Sequence, residues 1–278
     1  MAANETFELF TSLRYDKVLL DVPTLGIKNA GWNLSNASAL YMLDFHRDRM
    51  LRAATFWGWT GAIDAITGDE GLQRLMEYVS GIVTKAGTQN TPQRIKVVLS
   101  KDGELSHETS PAGAIDLANL FPARLPPSGL TRADSEAADP LKEPIFEVAV
   151  DTIQTDPSEF THFKTTKRRM YDGARSRGNI AVTDNKEVLI VNVHDNTIME
   201  GSVTTPYFWR GGRWVTPPVS RGYDPNSGSG GQDGTTRRWS LERNIAAEEP
   251  VTADSLVNGE ECWISNGVRG FRFGIIKL

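Results

Sequence analysis

His162-Phe163-Lys164-Thr165-Thr166, then Ile198-Met199-Glu200-Gly201-Ser202, then Gly234-Thr235-Thr236-Arg237: these three stretches decide how the chain is read. The first sets a lysine behind an apolar aromatic residue and ahead of a helical pattern. The second is an apolar strand that ends in a carboxylate before a glycine turn. The third follows a loop rich in Gly and Ser and opens a helix. Free backbone N–H groups and the helix dipole favour an anion at such a start.

Working outward from these stretches, the spacing predicts a helix over 165–177 that stops at Gly178. Strands are expected at 145–150, 187–193, 261–265 and 270–276. A hairpin is expected across Gly211-Gly212, joining 203–209 to 213–216. The glycine-rich segment 226–234 reads as a surface loop leading into a helix from Thr235 to about Ala247. Upstream, 7–20 reads as strand with a break near Tyr15-Asp16, and 22–38 as loop. Leu43, Met50, Leu51, Ala54, Trp57 and Ala62 recur at helical spacing, which predicts one long helix over 41–66. Asp69 is expected to cap a second helix carrying Leu72, Leu75, Met76, Val79 and Val83 on one face. Arg94–Ser100 is a strand. Five prolines within 122–144 mark an interdomain connection. The expected division is therefore 1–121, a smaller N-terminal α/β domain, and 145–278, a larger domain. Helices and strands mix without regular βαβ alternation, so the fold class is mixed α/β (α+β) in two lobes, not a Rossmann sheet.

A length of 278 residues suffices for a sizeable core, and the net charge of −5 argues against a nucleic-acid footprint. With a single cysteine, Cys262, an internal disulfide and a cysteine-based metal site are both excluded. No apolar run approaches the ~20 residues that span a bilayer, and the N-terminus lacks a signal-peptide pattern. A cytoplasmic protein without membrane contact is expected.

Lys164 is one of ten lysines. Most lysines are solvated surface residues, and Lys167 is its main rival. Phe163 favours the partial desolvation that makes an amine nucleophilic, and Lys167, Arg168 and Arg169 add repulsion that acts in the same direction. Glu200 read alone is a carboxylate before a turn, and Thr235-Thr236 read alone is an ordinary helix start. Arg47 or Arg49 in the first long helix could grip an anion, although a solvated charged face is the commoner reading. The four histidines show no metal-ligand spacing, and no Gly-x-Ser-x-Gly elbow is present. Taken together, the lysine can form an imine with an aldehyde, the glutamate can pair with a pyridine nitrogen, and the helix start can receive a phosphate. Those are the parts needed to hold pyridoxal phosphate.

In this order the segments resemble the fold-type IV pyridoxal-phosphate enzymes, the class IV aminotransferase family. Phe7–Arg14 resembles the family's N-terminal strand. His46-Arg47-Asp48-Arg49-Met50-Leu51 with Ala53-Ala54 resembles its His-x-x-Arg-Leu-x-x-(Ser/Ala)-Ala helix. Gly234–Arg237 resembles Gly-Ile-Thr-Arg, and Trp263–Gly270 resembles a late strand-turn beside the phosphate. The resemblance implies Lys164 as the Schiff-base residue and Glu200 on the pyridine nitrogen. It implies Arg49, Thr235, Thr236, Asn266 and Gly267 around the phosphate. It also implies a small-molecule amino substrate and a homodimer. Ile264–Gly270 and Phe10–Arg14 look most like 4-amino-4-deoxychorismate lyase, which makes 4-aminobenzoate and pyruvate. A hydroxyl, Thr11 or Ser12, would then protonate the departing group, with Thr11 the first candidate. Arg14 or Arg269 would hold a substrate carboxylate. The alternative is a transaminase of D-amino acids, branched-chain amino acids or R-amines. This chain departs from the family in its short N-terminal end, its long polar loop at 226–234, and Phe163 and Thr165 beside the lysine.

Overall fold

The computed structural model describes residues 6–130, 136 and 139–278. The chain separates into two units, Met1–Ala114 with Phe163–Lys167, and Ile115–His162 with Arg168–Leu278. The proline-rich stretch 122–144 lies within the second unit, and the five residues around Lys164 belong to the first.

The first unit is an antiparallel sheet in the order β1 (Leu9–Tyr15), β2 (Gln93–Leu99), β3 (Leu105–Pro111). Strand β1 stops at Tyr15, short of the expected residue 20. The Asp16 side chain accepts from Val18 N–H and turns 17–21 into a 3-10 helix. Two short helices, α1 (Val22–Leu25) and α2 (Trp32–Ser35), occupy the expected loop. Asn33 then accepts from Met42 N–H and donates to the Leu40 carbonyl, fixing the chain's entry into α3 (Leu43–Phe56). The single long helix expected over 41–66 is broken. Gly58 adopts φ +63°, and α4 (Thr60–Ile66) restarts after it. Helix α5 (Gly68–Lys85) starts one residue before Asp69 and buries Leu75, Val79, Ile82 and Val83. Strand β3 was not legible in sequence because its side chains are mostly exposed and polar.

In-register pairing of β1 with β2 divides this sheet into two faces. Leu9, Thr11 and Leu13 share one face with Ile95 and Val97, which are all buried. Phe10, Ser12 and Arg14 share the other with Arg94 and Lys96.

The second unit opens with α6 (Leu117–Leu120) and is built on an eight-stranded sheet. Its strands are β4 (Phe146–Val150), β5 (Lys186–Val191), β6 (Ile198–Gly201), β7 (Thr205–Arg210), β8 (Arg213–Thr216), β9 (Ala247–Glu248), β10 (Glu261–Asn266) and β11 (Gly270–Lys277). The order is β6-β5-β4-β11-β10-β7-β8-β9, with β4 parallel to both β5 and β11. Helix α7 (Glu159–His162) precedes α8 (Arg169–Arg177), and α9 (Thr235–Glu242) follows the glycine-rich loop. Helix α8 starts four residues after the expected Thr165, because Thr165 instead bridges Leu9 at the edge of the first sheet. One core layer gathers Val148, Leu189, Ile198, Phe208, Ile264 and Ile276. On the other side, Tyr171 and Ala174 of α8 pack on Val188, Ile190 and Met199. This second layer holds α8 against β5 and β6.

Candidate active site

Lys164 is fixed through its backbone. Its carbonyl accepts from Phe10 N–H at 3.1 Å, and Thr166 N–H donates to the Glu8 carbonyl at 2.9 Å. Phe163 is buried against Phe56 and Trp57, with ring centroids 4.8 and 5.0 Å away. The half-buried Lys164 ammonium lies 4.9 Å from the Phe10 ring centroid. A cation over an aromatic face keeps a favourable contact while losing part of its hydration.

Beneath β1, Thr11 joins α3 in a short hydrogen-bonded chain. Arg49 Nη2 donates to Thr11 Oγ1 at 2.5 Å, and Thr11 Oγ1 lies 2.6 Å from His46 Nδ1. Arg49 Nη2 is also 3.5 Å from His46 Nδ1. Burial pushes the imidazole's proton affinity well below its ordinary value, and the charges of Arg49 and Lys164 add to this. His46 is therefore neutral, and its Nε2 is buried without a hydrogen-bond partner among the described residues.

Two of the expected site residues, Thr11 and Arg14, are engaged within this unit. Thr11 is fully buried, and its hydroxyl is enclosed by Arg49 and His46. The hydroxyl on the other face is Ser12, half-buried, sharing that face with Phe10 and accepting from Arg94 Nη2 at 3.3 Å. Arg14 is buried, with Nε and Nη2 on Asp16 at 2.9 and 2.5 Å and Nη2 on the Gly113 carbonyl at 2.9 Å. Its guanidinium ties β1 to Asp16 and the Gly113 carbonyl within its own unit.

In the second unit Glu200 is buried at the end of β6. Tyr171 OH donates to Glu200 Oε1 at 2.5 Å, and Gln232 Nε2 donates to Tyr171 OH at 3.3 Å. Burial first, and the Glu200 charge second, raise the phenol well above its ordinary value. The turn after Glu200 is held by Glu187. Its carboxylate accepts from the N–H groups of Val188, Ser202 and Val203 and from the hydroxyls of Ser202 and Thr204. At Gly201 a Cβ would strike Thr204 Oγ1 and approach Glu187 Cδ to 3.0 Å.

The glycine-rich segment is not all surface loop. Ser229 and Gln232 are buried, with Ser229 Oγ on the carbonyls of Met199 and Pro218. Gly231 lies against the Met199 carbonyl so closely that no side chain fits. The loop therefore lines the strand that carries Glu200.

Helix α9 begins at Thr235 with no side-chain cap from Gly234. Thr236 Oγ1 lies 2.7 Å from Ser265 Oγ, which lies 2.9 Å from Tyr207 OH. Burial raises the Tyr207 phenol to about 12. Arg237 is buried and donates to the Pro217 carbonyl, Asp233 and Glu248, closing the loop behind the helix start. Asn266 Oδ1 accepts from the N–H groups of Val268 and Arg269, and Asn266 Nδ2 donates to the Val203 carbonyl. Asn266 and Gly267 thus sit in a tight turn built by the Asn266 side chain. Arg269 reaches the Val182 carbonyl at 3.2 Å, and its guanidinium carbon is 5.9 Å from the Phe146 ring centroid.

Thr235 Oγ1 tests whether these residues suit a phosphate. It is buried in the first turn of α9 and has no hydrogen-bond partner among the described residues. A buried hydroxyl without a partner is costly, and the first N–H groups of a helix also lack intrahelical acceptors. A phosphate oxygen would satisfy both, so the helix start fits the group. No cluster of His, Cys, Asp and Glu suited to a metal occurs among the described residues.

A mixed α/β fold with a lysine, a buried carboxylate and an uncapped helix start is matched by the amino-transferase class IV family over residues 31–273, and the chain belongs to that family. It is a pyridoxal-phosphate-dependent lyase or aminotransferase. Among known proteins it is similar to the "Putative aminodeoxychorismate lyase" of Schizosaccharomyces pombe. They are 23% identical over 244 residues, 86% of this chain and 85% of the relative. The fold is also that of a "Putative amino-acid aminotransferase" from Mesorhizobium loti, with TM-score 0.64 and 19% identity over 97% of this chain and 99% of the other. A "Putative 4-amino-4-deoxychorismate lyase" from Legionella pneumophila gives TM-score 0.61 and 12% identity over 97% and 82%.

Sequence reading missed Tyr171, Glu187, Ser12's separation from Thr11, and the part played by His46. Tyr171 and Glu200 are 29 residues apart, so no local pattern links them. Strand alternation, applied to Phe10–Arg14, would have separated Ser12 from Thr11.

Proposed function

We propose that the protein is a lyase that converts 4-amino-4-deoxychorismate to 4-aminobenzoate and pyruvate. Bound pyridoxal phosphate supplies an aldehyde that captures an amino group and a ring that takes up the electron pair released at the neighbouring carbon. Lys164 is the amine that engages the aldehyde, and it takes the proton from the substrate carbon. Glu200, held as a carboxylate by Tyr171, pairs with the pyridine nitrogen and keeps it protonated. Arg49, Thr235 and Thr236 hold the phosphate, together with the backbone of the Asn266-Gly267 turn. As the C–O bond to the enolpyruvyl group breaks, that group must gain a proton to leave as pyruvate, and the ring becomes aromatic. Ser12 donates that proton. Arg94, which donates to Ser12 Oγ, stabilises the charge left on that serine oxygen.

The observation that carries this reading is the Ser12 hydroxyl, which shares a face of β1 with the ring of Phe10, over which the Lys164 ammonium sits. A transaminase needs only the lysine to move its proton, whereas the lyase needs a second donor for the departing group. The similarity to the yeast protein supports the same choice. Work as a homodimer in the cytoplasm belongs to this proposal, and size-exclusion chromatography of the active protein checks the dimer.

The test is to supply 4-amino-4-deoxychorismate without any keto acid and follow both products. Stoichiometric 4-aminobenzoate and pyruvate are expected. Absence of both, together with conversion of the cofactor's absorbance by an amino acid and its reversal by a keto acid, refutes the lyase and establishes a transaminase. Lys164→Ala should abolish borohydride-fixed cofactor, and Lys167→Ala should retain it.

A further inference from the structure

We infer that Thr11 and His46 are positioning residues for Arg49, holding its guanidinium for the cofactor's phosphate, and that Thr11 takes no part in proton transfer. This rests on the proposed role of Arg49 as a phosphate contact.

The geometry is a chain of three side chains across β1 and α3. Arg49 Nη2 donates to Thr11 Oγ1 at 2.5 Å, and Thr11 Oγ1 meets His46 Nδ1 at 2.6 Å. An arginine can only donate. With Arg49 Nη2 also 3.5 Å from His46 Nδ1, a lone pair at that nitrogen suits the cation better than a proton. The Thr11 proton is therefore directed at His46, and the Thr11 lone pairs face Arg49. The hydroxyl thus acts as an adapter: it turns a neutral imidazole acceptor into an oriented acceptor for a guanidinium. Thr11 and His46 are both fully buried, so water does not replace either partner. The side chain of Arg49 is long, and its guanidinium would otherwise sample several rotamers. Fixing it before the phosphate arrives lowers the entropy lost on binding.

Spacing supports the same assignment. His46 and Arg49 are three residues apart on α3, so they share a helix face. Thr11 is the residue of β1 that meets that face, between the buried Leu9 and Leu13. A side chain here without a hydroxyl would leave the imidazole and the guanidinium facing each other directly.

The test uses the full chain freed of cofactor, titrated with pyridoxal phosphate and, separately, with pyridoxal, which lacks the phosphate. Protein fluorescence reports binding. Thr11→Val should raise the Kd for pyridoxal phosphate about ten- to a hundredfold, the loss expected when one hydrogen bond to a charged group disappears. The Kd for pyridoxal should stay unchanged, and Thr11→Ser should restore the affinity for pyridoxal phosphate. His46→Leu should weaken pyridoxal phosphate in the same selective way, with partial rescue in His46→Asn, so the result does not depend on Thr11→Val folding. In an Arg49→Gln background, Thr11→Val should add nothing further. If Arg49→Gln raises the Kd but Thr11→Val and His46→Leu leave it unchanged, or weaken pyridoxal equally, the inference is overturned. If Arg49→Gln itself leaves the Kd unchanged, the phosphate role of Arg49 fails and the inference falls with it.

Discussion

Replacing Tyr171 by Phe removes one oxygen from the centre of the second unit's polar cluster. The phenol has a single proton and two acceptors in reach, Glu200 Oε1 at 2.5 Å and the Thr161 carbonyl at 3.2 Å. The short distance and the charge assign the proton to Glu200. A hydrogen bond to a charged group contributes about 1.5–3 kcal/mol, and an unsatisfied buried donor costs about 1 kcal/mol more. Here that donor is Gln232 Nε2, which loses the phenol oxygen. The expected loss is therefore about 2–4 kcal/mol. For a chain of this size each kcal/mol lowers Tm by roughly 2–4 °C, so a fall of roughly 5–15 °C is expected at neutral pH. The assay is thermal unfolding of the cofactor-free protein followed by circular dichroism. The double variant with Glu200→Gln should lose less than the sum of the two singles. The sign with pH also follows. The folded phenol is raised above its ordinary value of 10. The neutral Tyr171 thus contributes fully below pH 10, and this contribution is lost as pH rises through the folded value. A Tyr171→Phe protein within about 2 °C of the parent, with additive effects in the double variant, would refute the assigned hydrogen bond.

Three further outcomes are expected. Glu187→Ala removes the acceptor of five hydrogen bonds, four of them from the 202–204 turn, and should cost about 3–5 kcal/mol in urea unfolding, with Glu187→Gln recovering part of it. A loss below about 1 kcal/mol counts against the clamp. His46 is held neutral in the folded chain, so below its ordinary value of 6.5 only the unfolded chain takes up the proton. Stability should fall as pH drops through that region by up to about 1.4 kcal/mol per pH unit, and His46→Asn should remove this part of the slope between roughly pH 7 and pH 5. Cys262 is buried and its thiol is pushed well above its ordinary value, first by burial and then by Glu260 and Glu261. It should be inert to a thiol reagent in the native protein and react once per chain in denaturant, and rapid native labelling would contradict the burial.

Lys164, Glu200 and Thr235-Thr236 were legible because each lies in a short local pattern: an aromatic-lysine step, a strand ending at a glycine turn, and a helix start after a flexible loop. Helix α5 and strands β2, β10 and β11 were legible for the same reason, since periodicity is local. The break between α3 and α4 was not, because the apolar spacing runs on through it while Gly58 takes a left-handed conformation. Arg14 and Arg269 illustrate the limit most clearly. Both read as available cations, and only the folded chain reveals Asp16 beneath one and the Val182 carbonyl beside the other.

The sequence by itself determined the family and the cofactor, and it set the candidate residues Lys164, Glu200 and Thr235-Thr236 in local motifs, because such motifs are fixed by covalent neighbours. Tertiary structure decided which hydroxyl of Thr11 and Ser12 is enclosed, which arginines are already engaged, and that Tyr171 and Glu187 support Glu200. Those assignments depend on strand alternation, sheet register and burial, which bring together residues far apart in the chain, and no local pattern encodes them.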